Sequence, residues 1–199
     1  TKDTVEADRI IIATGSRPAR MGLFPFDGEK GITSDEALNL KETPKSVLIV
    51  GAGVIGCEFA CILNELGSEV TMVEMMDRAV ATEDPEIAST LERELKKKKI
   101  KLITSAKITK VEKTDSGITA TLEDGKTITA ELCLVSIGRA LNNENIGLEK
   151  VGVAQGKRGE ITVNEKMETN ITGVYAIGDV TGKIMLAHVA STQGLVAIE

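Results

Sequence analysis

The feature that most constrains this chain is the succession Val47, Leu48, Ile49, Val50, Gly51, Ala52, Gly53, Val54, Ile55, Gly56. Four consecutive apolar residues without alternation predict a strand covered on both faces, as in a parallel sheet. Glycines follow at once at 51, 53 and 56, and Ile55, Phe59, Ile62, Leu63 and Leu66 then recur at helical spacing until Gly67. Residues 69–74 read as a second strand. Strand, glycine turn, helix and strand make a βαβ unit, which commits the chain to the α/β class.

Within that unit each glycine has a physical task. The first permits the tight turn, the second lets a pyrophosphate approach the backbone, and the third lets the helix pack on the strand. Helix N–H groups and the macrodipole then face the anion. Glu74 stands 23 residues after Gly51, at the end of the second strand, where its carboxylate accepts hydrogen bonds from an adenosine ribose. Such a charge-assisted bond contributes about 1.5–3 kcal/mol, and the same charge repels a ribose 2′-phosphate. Met75 and Met76 follow and no Arg stands beside Glu74, so the pattern predicts NAD rather than NADP. A glycine turn used only for packing, with an unrelated acid downstream, is the alternative that the spacing leaves open.

Elsewhere the run 9–13, leading to Thr14, Gly15 and Pro18, predicts a buried strand entering a turn. Ser34 offers an N-cap for a short helix through Leu40, and 41–45 form a linker. Asp84 and Pro85 predict an N-cap and first helical position, with Ile87, Leu91 and Leu95 lining one face of a helix that closes in the lysines 96–99. Those lysines complement a helix C-terminus more simply than they make a phosphate or nucleic-acid patch. Alternating runs at 101–113, 118–123 and 127–131, with turns at 115–117 and 124–125, predict an antiparallel meander. Residues 132–137 form a further buried strand stopped by Gly138.

Composition narrows the function classes. With 42% hydrophobic and 27% charged residues the chain is expected to fold rather than stay disordered. A net charge of −6 and only four aromatic rings argue against a nucleic-acid partner. Three cysteines, at 57, 61 and 133, are too few for a disulfide scaffold and fit a reducing compartment. No apolar run approaches the roughly 18 residues needed to cross a bilayer, and no basic start leads into a secretory core. The expectation is a cytoplasmic protein acting on a small molecule, with no membrane partner. Thr1 in place of Met, and an uncapped helical stretch at 193–199, suggest a piece of a longer chain.

Several stretches together carry a resemblance: 10–16 with Pro18, GAGVIGCE at 51–58, Ile137-Gly138-Arg139, 169–179, and Met185-Leu186-Ala187-His188. On these the chain resembles the flavin-dependent disulfide reductases, the class I pyridine nucleotide-disulfide oxidoreductases, and most closely their dihydrolipoamide-oxidising branch. The resemblance implies a Rossmann-like NAD-binding domain with an antiparallel meander at 24–137, flanked by 1–23 and 138–199 as segments of a second, FAD-binding Rossmann-like domain. It implies that Ala52, Val54 and Ile55 join Gly51, Gly53 and Gly56 around NAD, that Glu74 holds the ribose, that Ile108 touches adenine, and that Gly138 admits the nicotinamide. It implies that Glu58 lies under the nicotinamide, although an acid favoured in a first helical turn explains that residue equally well. For FAD it implies that Thr14, Gly15 and Ser16 approach the dinucleotide and that Asp179 accepts a hydrogen bond from a ribityl or ribose hydroxyl. Met185, Leu186, Ala187 and His188 would present backbone N–H groups to the flavin ring.

The family's redox disulfide and catalytic His-Glu pair match nothing in this sequence. Cys57 and Cys61 stand one turn apart on the helix after the glycines, with parallel side chains, and so read as packing thiols rather than a disulfide; Cys133 reads the same way. His188, the only histidine, matches the flavin-contact motif rather than a general base. No residue of the chain is assigned to catalysis. In an intact parent the resemblance implies that NAD takes hydride from reduced FAD after electrons from dihydrolipoamide pass through the disulfide, in a homodimer serving a 2-oxo acid dehydrogenase complex. The fragment would supply the NAD side, its FAD site being incomplete. Two other readings stay open: another superfamily member, of the NADH oxidase or mercuric, coenzyme A disulfide or glutathione reductase type, and a non-catalytic dinucleotide-binding module.

Overall fold

Unbroken or alternating apolar runs become strands, and capped amphipathic runs become helices, in the computed structural model, which describes residues 3–199. Along the chain come β1 (Ile10–Ile12), β2 (Ser16–Pro18), β3 (Gly31–Ile32), α1 (Ser34–Ala37), β4 (Ser46–Val50), α2 (Val54–Glu65), β5 (Glu69–Val73), α3 (Pro85–Lys97) and β6 (Lys101–Ile103). They continue as β7 (Ile108–Thr114), β8 (Gly117–Leu122), β9 (Thr127–Ala130), β10 (Leu132–Val135), β11 (Arg139–Leu141), α4 (Leu148–Val151), β12 (Val174–Ala176) and α5 (Ala187–Ile198). A 3-10 turn, Gly178–Thr181, precedes α5. The chain divides into two units, Pro18–Gly138 and the described residues up to Arg17 together with Arg139–Glu199.

The first of these is built on a five-stranded sheet in the order β3-β10-β4-β5-β6, with every pair parallel. One face of β4 packs Val47 and Ile49 with Cys57, Ala60 and Leu63 of α2 and Ala88 and Leu95 of α3. The opposite face packs Leu48 and Val50 with Ile108, Ile118, Ala120 and Leu122 of the three-stranded antiparallel meander β7-β8-β9. Both faces are therefore covered, which is why 47–50 carries no polar alternation.

Four local expectations are corrected. The run 101–113 is not one strand of the meander: 101–103 form β6 at the edge of the parallel sheet, and only β7 joins the meander. The break falls at Ser105, whose φ of +49° no strand sustains. The cap of α1 is Thr33, not Ser34, and the helix ends at Ala37 rather than Leu40. Thr33 and Glu36 form a capping box, with the Thr33 N–H donating to Glu36 Oε2 at 2.8 Å, and the hydroxyl and N–H of Thr33 hold the Glu36 carboxyl below its usual pKa. In α3, capped by Asp84 as expected, Ile87 points to solvent while Ala88, Leu91 and Leu95 take the inward face. Ala88 and Leu95 are two turns apart and so aligned, whereas Ile87 is rotated about 100° from Ala88. The fourth concerns β1, in the other unit. Lysines at the end of α3 are spent locally, Lys97 on Glu94 and Lys98 on Glu65.

In the unit that contains Arg139–Glu199, β1 pairs parallel with β12, matching Ile11 to Tyr175, and β2 pairs with β11. Leu148, Val153, Ile161, Ala176 and Val180 form its core. The strand expected to be buried at 9–13 exists as β1, but Ile10 and Ile11 are 53% and 42% exposed. Ile10 and Ile11 point to opposite faces of this two-stranded sheet, and neither is covered as β4 is, so an apolar run alone does not secure burial. Among the described residues no helix is long and apolar enough to cross a membrane.

Candidate functional site

The end of β4 turns sharply at Gly51, where φ is +95° and a Cβ would lie 2.5 Å from the carbonyl oxygen of Ser136. At Gly56, in α2, a Cβ would lie 2.1 Å from the Gly51 carbonyl oxygen and 2.8 Å from Ser136 Oγ. Close approach within the protein thus requires glycine at both positions. Gly53 is different. Its φ is −70°, which any residue adopts, and a Cβ would meet no protein atom within 4 Å. Gly53 is also the N-cap of α2 and makes no side-chain capping bond, so first-turn N–H groups stay available to an external acceptor. The backbone at Gly53 therefore faces open space.

Glu74 leaves β5 with its main chain bonded on both sides, its N–H to Ile103 O at 2.8 Å and its carbonyl to the Ala106 N–H at 3.0 Å. Its Oε2 accepts the Ala52 N–H at 2.6 Å and its Oε1 accepts the Met76 N–H at 2.8 Å. A carboxylate has about four acceptor positions, so acceptor capacity remains for hydroxyl groups. The expected pairing of glycine turn and acid is thus present in one place, joined directly through Ala52.

Two residues that shape this turn are not marked in the sequence. Ser136 donates its hydroxyl to the carbonyls of Val50 and Gly51, each at 3.1 Å. Val80, in the left-handed region at φ +39°, donates its N–H to Ala52 O at 2.8 Å. Only the pairing of β10 with β4 tells that residue 136 reaches the turn. No local signal announces Val80.

The other expected contacts lie as follows. Ala52 is buried, Ile55 half-buried, and Val54 and Glu58 exposed at the start of α2. Gly138 has φ +115° and open space where a Cβ would stand. Ile108 is not brought to the turn's surface: it is 6% exposed and packs in the cluster between sheet and meander. A cavity of about 650 Å³ lined by Ile103, Ser105, Lys107, Leu122 and Lys126, among others, includes none of the expected residues. All three cysteines are free. Burial first, then Cys61 and nearby acids, pushes the Cys57 thiol up to about 11, and burial pushes Cys133 up to about 12. Both are protonated packing groups near neutrality.

In the other unit, residues far apart in sequence converge. Ser16 Oγ donates to Asp179 Oδ2 at 2.5 Å, while Arg139 Nε donates to Ser16 Oγ at 2.5 Å and Arg139 Nη2 to the Ser16 carbonyl at 2.9 Å. Arg139 Nε is 3.7 Å from Asp179 Oδ2. Gly15, at φ +71°, accepts the Asn142 N–H at 3.0 Å, and the Thr14 carbonyl accepts from Asn142 Nδ2. The Gly178 N–H donates to the buried Gln193 Oε1 at 2.6 Å, which ties the Gly178–Thr181 turn to α5. Leu186 is the N-cap of α5 without a side-chain bond, and Ala187 and His188 begin that helix just after Met185. Thr14, Gly15, Ser16 and Asp179 therefore form one cluster, to which the sequence had assigned neither Arg139 nor Gln193.

The family model described as pyridine nucleotide-disulphide oxidoreductase matches residues 1–194. Among curated relatives, the chain is 47% identical over 202 aligned positions to a dihydrolipoyl dehydrogenase of Bacillus subtilis (strain 168), covering 99% of this chain and 42% of the relative. A dihydrolipoyl dehydrogenase of Acholeplasma laidlawii is 44% identical over 206 positions, covering 99% of this chain and 59% of the relative. Among solved structures, LpdA from Mycobacterium tuberculosis superposes with a TM-score of 0.90 at 35% identity, over 96% of this chain and 42% of that one. An NAD-dependent persulfide reductase from A. fulgidus gives 0.85 at 32% identity, over 98% and 39%. The chain spans less than two thirds of the length of each.

Proposed function

The chain belongs to the pyridine nucleotide-disulphide oxidoreductase family, and from that premise we propose that it is the NAD(H)-binding portion of a dihydrolipoyl dehydrogenase, carried with segments of the FAD-binding domain. On this reading the NAD-binding domain occupies 24–137, inside the unit Pro18–Gly138, and 1–23 with 138–199 belong to the FAD side. When bound, FAD and NAD supply the hydride chemistry, by which dihydrolipoamide and NAD+ become lipoamide, NADH and a proton. The residues of this chain bind and orient. Gly51 and Ala52 make the turn, their own N–H groups bonded to Val73 O and Glu74 Oε2, so that the free N–H groups of Gly53, Val54, Ile55 and Gly56 take the diphosphate, and Glu74 accepts from the ribose hydroxyls and repels a 2′-phosphate. Gly138 leaves room for the nicotinamide, and Glu58 stands near the glycine-turn end of α2; Ile108, buried between sheet and meander, supports the domain from within the core. On the FAD side Thr14, Gly15 and Ser16 approach the dinucleotide, Asp179 accepts from a hydroxyl, and 185–188 offer main-chain donors. The same reading makes the parent a cytoplasmic homodimer serving a 2-oxo acid dehydrogenase complex.

The observation that carries the proposal is the open cradle at Gly53 beside a carboxylate already anchored to the Ala52 N–H. Calorimetric titration tests it. NADH is expected to bind more tightly than NADPH, and Glu74→Ala to narrow that gap about tenfold, the equivalent of one charge-assisted bond. Equal affinities in the unaltered chain overturn the NAD assignment. An intact parent inert toward dihydrolipoamide but active on persulfides favours the other reductase reading, which the similarity to the persulfide reductase supports.

A further inference from the structure

We propose that Met75 and Met76 form an oxidation-sensitive rim of the dinucleotide site, converted by peroxide to sulfoxides that weaken NADH binding. The inference rests on the assignment of Glu74 to the ribose. Both thioethers are open to solvent, 65% and 51% exposed, whereas Met72 is 0% and Met167 8% exposed. They directly follow Glu74, and the Met76 N–H is one of the two donors that hold its carboxylate. Their backbone is fixed, since the Ser105 N–H donates to Met76 O at 2.7 Å and the Ala106 N–H to Glu74 O at 3.0 Å. Two adjacent, unbranched and polarizable side chains are thus displayed from a rigid segment within a side-chain length of the carboxylate. Such side chains suit contact with an aromatic base.

The modification is a two-electron oxygen transfer. The sulfur lone pair attacks one oxygen of hydrogen peroxide, the S–O bond forms as the O–O bond breaks, and the displaced oxygen leaves as water after taking up a proton. Sulfur is oxidised and peroxide reduced by two electrons each. An apolar contact becomes a polar, chiral group. Thiols do not compete lastingly: Cys57 and Cys133 are buried, and any sulfenic acid or disulfide formed at Cys61 is reversed by dithiothreitol, which leaves sulfoxides in place.

The test treats the whole chain with hydrogen peroxide, removes the oxidant, reduces with dithiothreitol, maps sulfoxides by peptide mass spectrometry and titrates NADH. Sulfoxide is expected at Met75 and Met76 before Met72, with the Kd for NADH raised about fivefold. In the double variant Met75→Leu, Met76→Leu the treated-to-untreated ratio of Kd stays near one, while Met21→Leu, at a residue 53% exposed, gives no protection. Unchanged affinity after oxidation of both residues overturns the proposal, as does resistance of both to the oxidant or an equal loss in the double variant. Untreated chain that fails to bind NADH instead overturns the assignment of the site.

Discussion

Glu74 and Asp179 are held in opposite ways. Glu74 accepts from two backbone N–H groups, of Ala52 in the glycine turn and of Met76 just after β5. Asp179 accepts from the side chain of Ser16, 163 residues away, which is itself held by Arg139. A site made from main-chain groups needs only that certain positions lack a Cβ, so glycine spacing records it. A site made from side chains brought together by tertiary folding leaves no periodic trace.

The largest expected effect tests the backbone-built half. Gly56→Val forces a side chain onto the Gly51 carbonyl and should cost about 3 kcal/mol of stability, read from denaturant unfolding. A variant as stable as the parent breaks the contrast at once. Gly53→Ala should leave the fold within about 0.5 kcal/mol, because its Cβ meets open space, yet weaken NADH about tenfold, close to 1.4 kcal/mol. Unaltered affinity in that variant would mean that no ligand fills the cradle. Ser16→Ala sharpens the other half: loss of the relay should cost about 1 kcal/mol locally. Hydrogen exchange at the Asn142 amide, bonded to Gly15, should speed up about fivefold while NADH affinity holds.

The smallest effect at neutral pH concerns the thiol buried behind the turn. With Cys57 raised from 9.0 to about 11, an unfolded chain ionises this thiol first. Its contribution to stability is therefore intact below pH 9 and is lost progressively as pH rises from 9 to 11. Alkylation at pH 8 should find Cys57 about a hundredfold less reactive than a free thiol. Equal rates in the folded chain would show that α2 does not seal the back of the turn.

Much of the first unit was legible because its signals are local. Unalternated 47–50, the three glycines, the Asp84-Pro85 cap and the turn at 124–125 each carry their conformational reason within a few residues. The errors came where a neighbour in space decided. Alternation at 101–113 suited either sheet, and only the pairing of β6 with β5 chose between them. Ile87 and Ala88 compete for the same helix face, and the packing of Ala88 and Leu95 on the sheet settled which turned inward. In β1 the same apolar content that is buried in β4 stays exposed at Ile10 and Ile11, since burial depends on what covers a strand.

From the sequence alone came the α/β class, the glycine turn at Gly51–Gly56 and the acid that follows it, because sterics and helix capping act over short stretches of chain. Tertiary structure decided that Ser136 and Val80 clamp that turn and that Arg139 and Ser16 meet Asp179. Hydrogen bonds between distant segments form only once loop closure and core packing have brought their donors and acceptors within about 3 Å.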